Sequence, residues 1–243
     1  MKIQRALVIC CHPDDEVLGI GGTIKKLTNQ GTEVSVLMFA NGNEGYTRLE
    51  DKNRIVDIRR KEREEVGKIL GISHYEAYDY GDFAIPEDDV TYKMCIKAIR
   101  TYRPDVVFTH YWNEYRTHKA VASITEEAFW QAGWSCSLEL GQPWKASGLY
   151  HFEVIQLMPQ NSFVVDITDT YEDKVAAMRA YASQCDAVVS DALQQIEGRA
   201  LTRGAQVGVK YGEALLLNTT VPGLISDVNH LNLGFRGRDA SGS

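Results

Sequence analysis

The first two-thirds of the chain alternates short apolar runs with longer amphipathic segments. The apolar runs predict largely buried strands, which lie at 6–11, 34–40, 75–80 and 106–108. Segments whose apolar residues recur every three or four positions predict helices, which lie at 21–30, 51–70, 88–102 and 118–130. Strands that alternate with helices indicate βαβ units. We therefore expect an α/β, Rossmann-like fold with a mostly parallel sheet and helices on both faces.

The last third of the chain does not continue the regular alternation of strands and helices. Its patterns predict strands at 150–158 and 163–167 and helices at 172–182 and 190–203. No internal repeat, low-complexity tract or linker composition interrupts the chain, so we expect residues 1–243 to form a single domain. From about residue 229 the sequence is glycine-rich without an apolar period, which predicts a loose tail.

Composition narrows the possible partners and compartment. Of the 243 residues, 26 are Lys or Arg and 33 are Asp or Glu, a net charge of −7. An acidic balance argues against nucleic acid as the main partner. No apolar run approaches the roughly 18 residues that cross a bilayer, so we expect no membrane span. The five cysteines form an odd set without a Cys-x-x-Cys pair, which favours reduced thiols and a cytoplasmic location.

The segment from His12 to Glu16 carries the strongest chemical signal. It follows the first buried strand, where ligands bind in open α/β sheets. Three consecutive carboxylates repel one another unless a cation offsets their charge. His12 and Asp15 can offer one nitrogen and one oxygen to a metal, while Asp14 points elsewhere. Mixed ligands of this kind suit Zn²⁺, with iron or cobalt possible.

A catalytic zinc site usually has three protein ligands, so one more must come from further along the chain. His110 lies at the carboxyl end of the strand at 106–108, on the same edge as His12. His118 lies at the start of the following helix. Either histidine could reach the metal.

These residues belong to a longer series of motifs. His12–Glu16, followed by Gly19, Gly21 and Gly22, resembles the signature of the LmbE-like (PIG-L) family of zinc-dependent N-deacetylases. The later segments also resemble family motifs, in the family's order: 59–62, 80–82, 115–121, 165–168, 183–184 and 211–214.

The resemblance implies roles for individual residues. His12, Asp15 and His118 would be the zinc ligands, and Asp14 the general base. Arg59 and Asp82 would be candidates for substrate binding, and Trp112 is a further candidate because it is an aromatic residue next to the expected metal loop. The implied reaction removes an acyl group, in this family usually acetyl, from the nitrogen of an N-acetylated amino sugar or glycoconjugate. A small molecule or glycoconjugate is therefore the expected partner, and a homo-oligomer is possible.

The second metal motif departs from the family pattern. Tyr115 stands where the family has a histidine, and Thr117 stands where it has an aspartate. The missing histidine helps the oxyanion or the leaving amine, so Tyr115 or His110 is the candidate substitute, since a phenol can donate to an oxyanion. Two alternatives stay open: a metal-dependent, phosphatase-like enzyme, and a catalytically weakened binding protein on the same fold.

Overall fold

One sheet of seven strands organises the residues that this computed structural model describes, 2–185 and 191–220. The strands in chain order are β1 (Arg5–Cys10), β2 (Glu33–Ala40), β3 (His74–Tyr80), β4 (Val106–His110), β5 (Gly148–Phe152), β6 (Phe163–Asp166) and β7 (Gly212–Leu217). The tail predicted from about residue 229 lies outside the described residues.

The spatial order of the strands is β3-β2-β1-β4-β5-β7-β6. Strands β1 to β5 pair in parallel, whereas β7 is antiparallel to both of its neighbours, β5 and β6. The chain builds outward from β1 to β3 and then returns to the other side of β1. The strand order therefore reverses between β1 and β4, and the predicted Rossmann-like, mostly parallel sheet is confirmed.

Helices cover both faces of the sheet. They are α1 (Asp15–Asn29), α2 (Ile55–Leu70), α3 (Asp89–Tyr102), α4 (Arg116–Gln131), α5 (Tyr171–Ala180), α6 (Ala182–Cys185) and α7 (Ala192–Val207). Alternate residues of β1 enter the two cores: Val8 packs into the layer with α1, α5 and α7, and Ile9 into the layer with α3 and α4. Burial on both faces explains why β1 is a continuous apolar run.

Several predicted boundaries differ from the structure by one to four residues, and three differences are larger. Strand β7 was not predicted, because its short apolar run follows Gly212 and Glu213 and has no alternation to mark it. The strand predicted at 150–158 ends at Phe152, since the following backbone amides bind a side chain instead of a neighbouring strand. Helix α1 begins at Asp15, inside the acidic motif, and not at Gly21.

A kink in α1 explains why the first half of this helix was not predicted. Ile20 has non-helical torsions (φ −137°, ψ 27°), so the helix is kinked at the cluster of glycines. The Glu213 carboxylate accepts hydrogen bonds from the amides of Gly22 and Thr23, just past the kink. A side chain from β7 thus satisfies amides that the kink leaves free. The sequence pattern detected only the straight second half of the helix.

Two of the motif glycines allow close packing of α1. A Cβ at Gly19 would lie 2.3 Å from the Phe152 ring, and one at Gly22 would lie 2.8 Å from Ile167. Contacts this short leave no room for a methyl group. The glycines therefore hold α1 against the sheet and fix its N-terminus at the strand ends.

Composition predicts reduced thiols and no membrane-spanning helix. All five cysteines are free thiols, and Cys136 is the one that is partly exposed. A membrane-crossing helix is not found among the described residues.

Candidate active site

The strand order reverses between β1 and β4, and open α/β sheets bind ligands at the carboxyl ends of the strands at such a reversal. His12 follows β1 directly, and Asp15 is the first residue of α1. His110 is the last residue of β4, and His118 lies in the first turn of α4. The topology thus gathers the predicted residues at one edge.

His12, Asp15 and His118 form one compact group. His12 Nδ1 lies 3.2 Å from His118 Nε2. Asp15 Oδ1 lies 3.2 Å from His118 Nε2, and Asp15 Oδ2 lies 3.5 Å from His12 Nδ1. All three residues are buried, and each offers a ligand atom within 4.8 Å of the others. The structure therefore brings together the three residues that were predicted to hold the metal.

The remaining ring nitrogens show how the histidines are oriented. His12 Nε2 faces the Asp82 carbonyl at 3.3 Å, and His118 Nδ1 faces Glu114 Oε2 at 2.8 Å. A neutral imidazole that donates from one nitrogen has a lone pair on the other. Two lone pairs and a carboxylate oxygen therefore converge on one point, and such a group needs a cation between its members. Zn²⁺ fits these donors, because it accepts imidazole nitrogen and carboxylate oxygen and leaves a position open in catalytic sites.

The charges of the group also favour a cation. Burial raises the pKa of Asp15, but His118 and His110 lower it by more, and the net pKa lies well below its ordinary value. Burial lowers the pKa of His118, and Asp15 with Glu114 raises it by more. Protonated histidine therefore offsets the carboxylate charge of the group, and a bound cation would take the place of those protons.

Asp14 stands apart from the metal group and pairs with an arginine. Its Oδ2 accepts from Arg59 Nη2 at 3.1 Å, and the same nitrogen donates to the Pro13 carbonyl. The backbone of Asp14 has φ 128° and ψ −24°, a conformation that side chains other than glycine rarely adopt. Burial raises the pKa of Asp14 to about 7, although the charge of Arg59 opposes the rise. A carboxylate with that pKa suits proton transfer near neutral pH.

Glu16 ties the acidic motif to the body of the protein. Its side chain is completely buried and accepts from the hydroxyls of Tyr75 (3.1 Å) and Tyr181 (2.7 Å). It also accepts from the amide of Asp14 at 3.2 Å. Glu16 thus supports the strained backbone of Asp14.

His110 and Tyr115 both pack against the ring of His118. The His110 ring is fully buried and stacks on His118 with centroids 3.9 Å apart. Its Nε2 accepts from the amide of Cys11 at 2.9 Å, and burial lowers its pKa to about 4. Tyr115 is 45% exposed, and its hydroxyl lies 3.0 Å from His12 Nδ1. Of the two residues, Tyr115 is the one open to a substrate.

The three residues predicted for substrate binding have different surroundings. Arg59 is buried against Asp14 and Pro13. The Asp82 carboxylate accepts from the amides of Gly42 and Glu44, at 2.8 and 2.9 Å, and so orders the loop after β2. Trp112 is 46% exposed. Direct contact with substrate stays a prediction for all three, and exposure favours Trp112.

Sequence reasoning missed Glu114. This residue is buried; its Oε2 accepts from His118, and its Oε1 accepts from the amides of Val154 (2.7 Å) and Ile155 (3.0 Å). His110, Glu114 and His118 also form a group with metal-ligand spacing. Both Glu114 oxygens are already engaged, however, so we assign it to holding His118. The available signal was a carboxylate one helical turn before a candidate ligand.

The reversal of strand order and the buried His–Asp–His group define a Rossmann-like α/β protein with a site suited to a metal ion. A family model described as PIG-L, GlcNAc-PI de-N-acetylase, matches residues 7–129, half of the chain. A diacetylchitobiose deacetylase of Thermococcus kodakarensis is 30% identical over 236 residues, covering 91% of this chain and 85% of that protein. The chain belongs to the PIG-L family, which confirms the resemblance found in its motifs.

Solved structures show the same fold. The N,N'-diacetylchitobiose deacetylase of Pyrococcus horikoshii, complexed with an inhibitor, aligns with TM-score 0.79 and 28% identity, covering 89% of this chain and 84% of that chain. A 4-carboxy-2-hydroxymuconate hydratase of Pseudomonas putida aligns with TM-score 0.77 and 23% identity, covering 92% and 99%. The second likeness shows the fold alone, and its different reaction means that the site must decide the chemistry.

Proposed function

We propose that this protein is a zinc-dependent N-deacetylase that removes an acetyl group from an N-acetylated amino sugar or glycoconjugate. The observation that carries the proposal is the convergence of His12 Nδ1, Asp15 and His118 Nε2 beside a separate carboxylate, Asp14. The deacetylases among the relatives support the same reaction class. The proposed cytoplasmic location rests on the free thiols.

The metal ion and the side chains of the protein have separate roles in the proposed reaction. Zn²⁺ held by His12, Asp15 and His118 would polarise the amide carbonyl and lower the pKa of water from 15.7 to about 7. Asp14 takes the proton from the attacking water at its carboxylate, since its raised pKa leaves it able to hold a proton near neutrality. Arg59 keeps that carboxylate in place.

Tyr115 supplies the remaining polar contact. Its hydroxyl lies at the exposed side of His12, where it can donate to the oxyanion that forms at the acyl carbon. Protonated Asp14 then returns its proton to the departing amine. In this scheme the buried His110 positions His118 and does not contact substrate. A direct catalytic role for His110 stays a prediction.

The base assignment is tested with Asp14→Asn. We expect this variant to retain its metal and to lose at least ~100-fold in turnover, the lower range for a general base. Asp88→Asn is the matched control: Asp88 caps α3 through its side chain, and Asn caps equally well. Metal content by mass spectrometry and amine release from N-acetylglucosamine and N,N'-diacetylchitobiose are the readouts. Normal deacetylation by Asp14→Asn would refute the assignment.

The oxyanion assignment is tested with Tyr115→Phe. Removing the hydroxyl should lower turnover by about 100-fold, as for the loss of one oxyanion donor, with metal content unchanged. An unchanged turnover rules out this role.

The same preparations separate the alternatives. A phosphatase-like enzyme would release phosphate from p-nitrophenyl phosphate with Mg²⁺ and no amine from acetylated sugars. Two histidine ligands disfavour this candidate, because Mg²⁺ prefers oxygen. A binding protein would retain zinc and bind the sugars but release no amine.

A further inference from the structure

A groove with mainly apolar walls lies beside α1, on the face of the sheet that also packs against α5 and α7. Its volume is about 420 Å³. Side chains of β4, β5, β6 and β7 form its floor, and one side of α1, from Thr23 to Gln30, forms a wall. This wall begins roughly two helical turns beyond Asp15, the first residue of α1. The groove, which we call the α1 groove, is therefore separate from the metal group.

The α1 groove has apolar side chains that the described residues cover only in part. Tyr150 on β5, Val165 on β6 and Leu27 on α1 are each partly buried. On the opposite face of the sheet, under α3 and α4, Val107 and Leu149 are 0% and 1% exposed. Strands of a sheet with helices on both faces are normally buried on both sides. The groove is therefore an apolar surface that a further element can bury.

The end of β7 leads the chain to this groove. Strand β7 runs antiparallel to β5, and its last residue, Leu217, pairs with Tyr150 of the groove. Asn218 continues the pairing toward the amino end of β5, since its amide donates to the Leu149 carbonyl at 2.8 Å. Its Oδ1 accepts from the amide of Thr220 at 3.0 Å, which makes an Asx turn. The chain thus changes direction beside the groove, and Thr220 is the last described residue.

The next residues, 221–228, have a sequence suited to returning over the groove. The pair Pro222 and Gly223 is a strong turn signal. Three large apolar residues come after this pair: Leu224, Ile225 and Val228. Eight extended residues span about 26 Å, whereas α1 rises about 10 Å between Thr23 and Gln30. The segment is therefore long enough to turn and to lie along the whole groove.

We propose that the α1 groove is the docking site of residues 221–228 of the same chain, whose apolar side chains it buries. The tether favours this occupant, because a segment joined to Asn218 by two residues has an effective concentration of about millimolar at the groove. A free partner would need a comparable concentration to compete. The proposal goes beyond the deacetylase function and does not depend on it, since no described residue of the groove belongs to the metal group.

The test measures the reactivity of a thiol placed in the groove. Val165→Cys puts the thiol on the floor, and a Cys136→Ser background removes the one native thiol that is partly exposed. With the segment docked, this thiol should react with DTNB at least about tenfold more slowly than the thiol of Val90→Cys, because reaction requires the segment to open. Val90 is 55% exposed on α3 and lies outside the groove.

Substitutions in the segment decide the assignment. Leu224→Asp combined with Ile225→Asp should speed the reaction of the Val165→Cys thiol at least about tenfold, because burial of one such side chain shifts a docking equilibrium by that factor or more. Leu231→Asp combined with Leu233→Asp is the matched control. It makes the same two changes beyond the proposed segment and should leave the rate unchanged.

Three outcomes overturn the proposal. An equal rate with and without the changes at Leu224 and Ile225, or an equal acceleration by the control pair, means that this segment does not cover the groove. Protection that disappears on dilution means that a second copy of the chain covers it. Leu27→Cys, on the wall of the groove, repeats the measurement should Val165→Cys fail to fold, which circular dichroism checks. No substrate enters the assay, so a failure of the proposed deacetylase function leaves the result decisive.

Discussion

Glu114 offers the sharpest test of how the metal group is held. In the change to Gln, the shape of the side chain is kept while one oxygen becomes an NH₂ group. The amides of Val154 and Ile155 require an acceptor on one side, so the remaining oxygen should face them. The new NH₂ group then faces His118 Nδ1, which must accept instead of donate. The proton of His118 moves to Nε2 and occupies the lone pair that a metal needs.

The expected loss follows from this change of tautomer. Removing a hydrogen-bonding partner of a metal ligand typically weakens metal binding 10- to 100-fold. We expect the upper half of that range for Glu114→Gln, because Glu114 is buried and water cannot replace it. A hundredfold loss corresponds to about 2.7 kcal/mol of binding free energy. Folding of the metal-free protein should change little, since both contacts of the side chain can be remade.

The assay is competition for Zn²⁺ against a chromophoric chelator, with unfolding followed separately by circular dichroism. Glu126→Gln is the matched control, since Glu126 also lies on α4 and approaches a histidine, His151 Nε2 at 3.4 Å. His151 is not in the metal group, so this variant should bind Zn²⁺ normally. Wild-type affinity in Glu114→Gln would show that the contact with His118 does not govern its tautomer.

Two predictions concern stability and are read from chemical denaturation. Gly22→Ala should destabilise the protein by ~1–3 kcal/mol, because its Cβ would lie 2.8 Å from Ile167; Gly198→Ala, with open space around it in α7, should gain about 0.5–1 kcal/mol. Equal effects of the two changes contradict the packing argument. Lys174→Met should cost ~3–5 kcal/mol by leaving the buried Glu213 charge without its partner at 2.6 Å; a loss below about 1 kcal/mol contradicts it.

The parallel core of the fold could be predicted from the sequence because its strands are buried on both faces. A run such as 6–11 has few other stable placements, and the alternation with helices sets the topology. The unpredicted parts depend on distant contacts. Strand β7 gains its place from pairing with β5 and β6, and the kink of α1 from Glu213, which lies 191 residues from Gly22. Local patterns carry no signal for such contacts.

The site was predictable to a similar degree. His12 and Asp15 follow a strong strand, so their position at the carboxyl edge came from local pattern and topology. Local pattern and topology do not decide between His110 and His118 as the third ligand, because both residues lie at that edge. The structure separates them by one contact: His110 accepts from the amide of Cys11, whereas His118 is oriented by Glu114. The contact of His110 with Cys11 has no local sequence signal, and the contact of His118 with Glu114 is marked only by their four-residue spacing.

The four buried carboxylates of the site differ in how their charge is offset, and this difference assigns their roles. Asp15 lies between histidines, Glu114 accepts from a histidine and loop amides, and Glu16 accepts from two tyrosine hydroxyls. Each of these three carboxylates therefore has hydrogen-bonding or charged partners that stay in place during a reaction. Asp14 has one charged partner, an arginine, on one oxygen, a strained backbone and a raised pKa. Because its affinity for a proton lies near neutrality, Asp14 can change its charge during a reaction, whereas the pKa values of Asp15 and Glu114 are lowered and these two carboxylates stay ionised. The substitution at Tyr115 does not alter this arrangement, so the departure from the family pattern bears on the proposed oxyanion contact and leaves the proposed base, Asp14, in place.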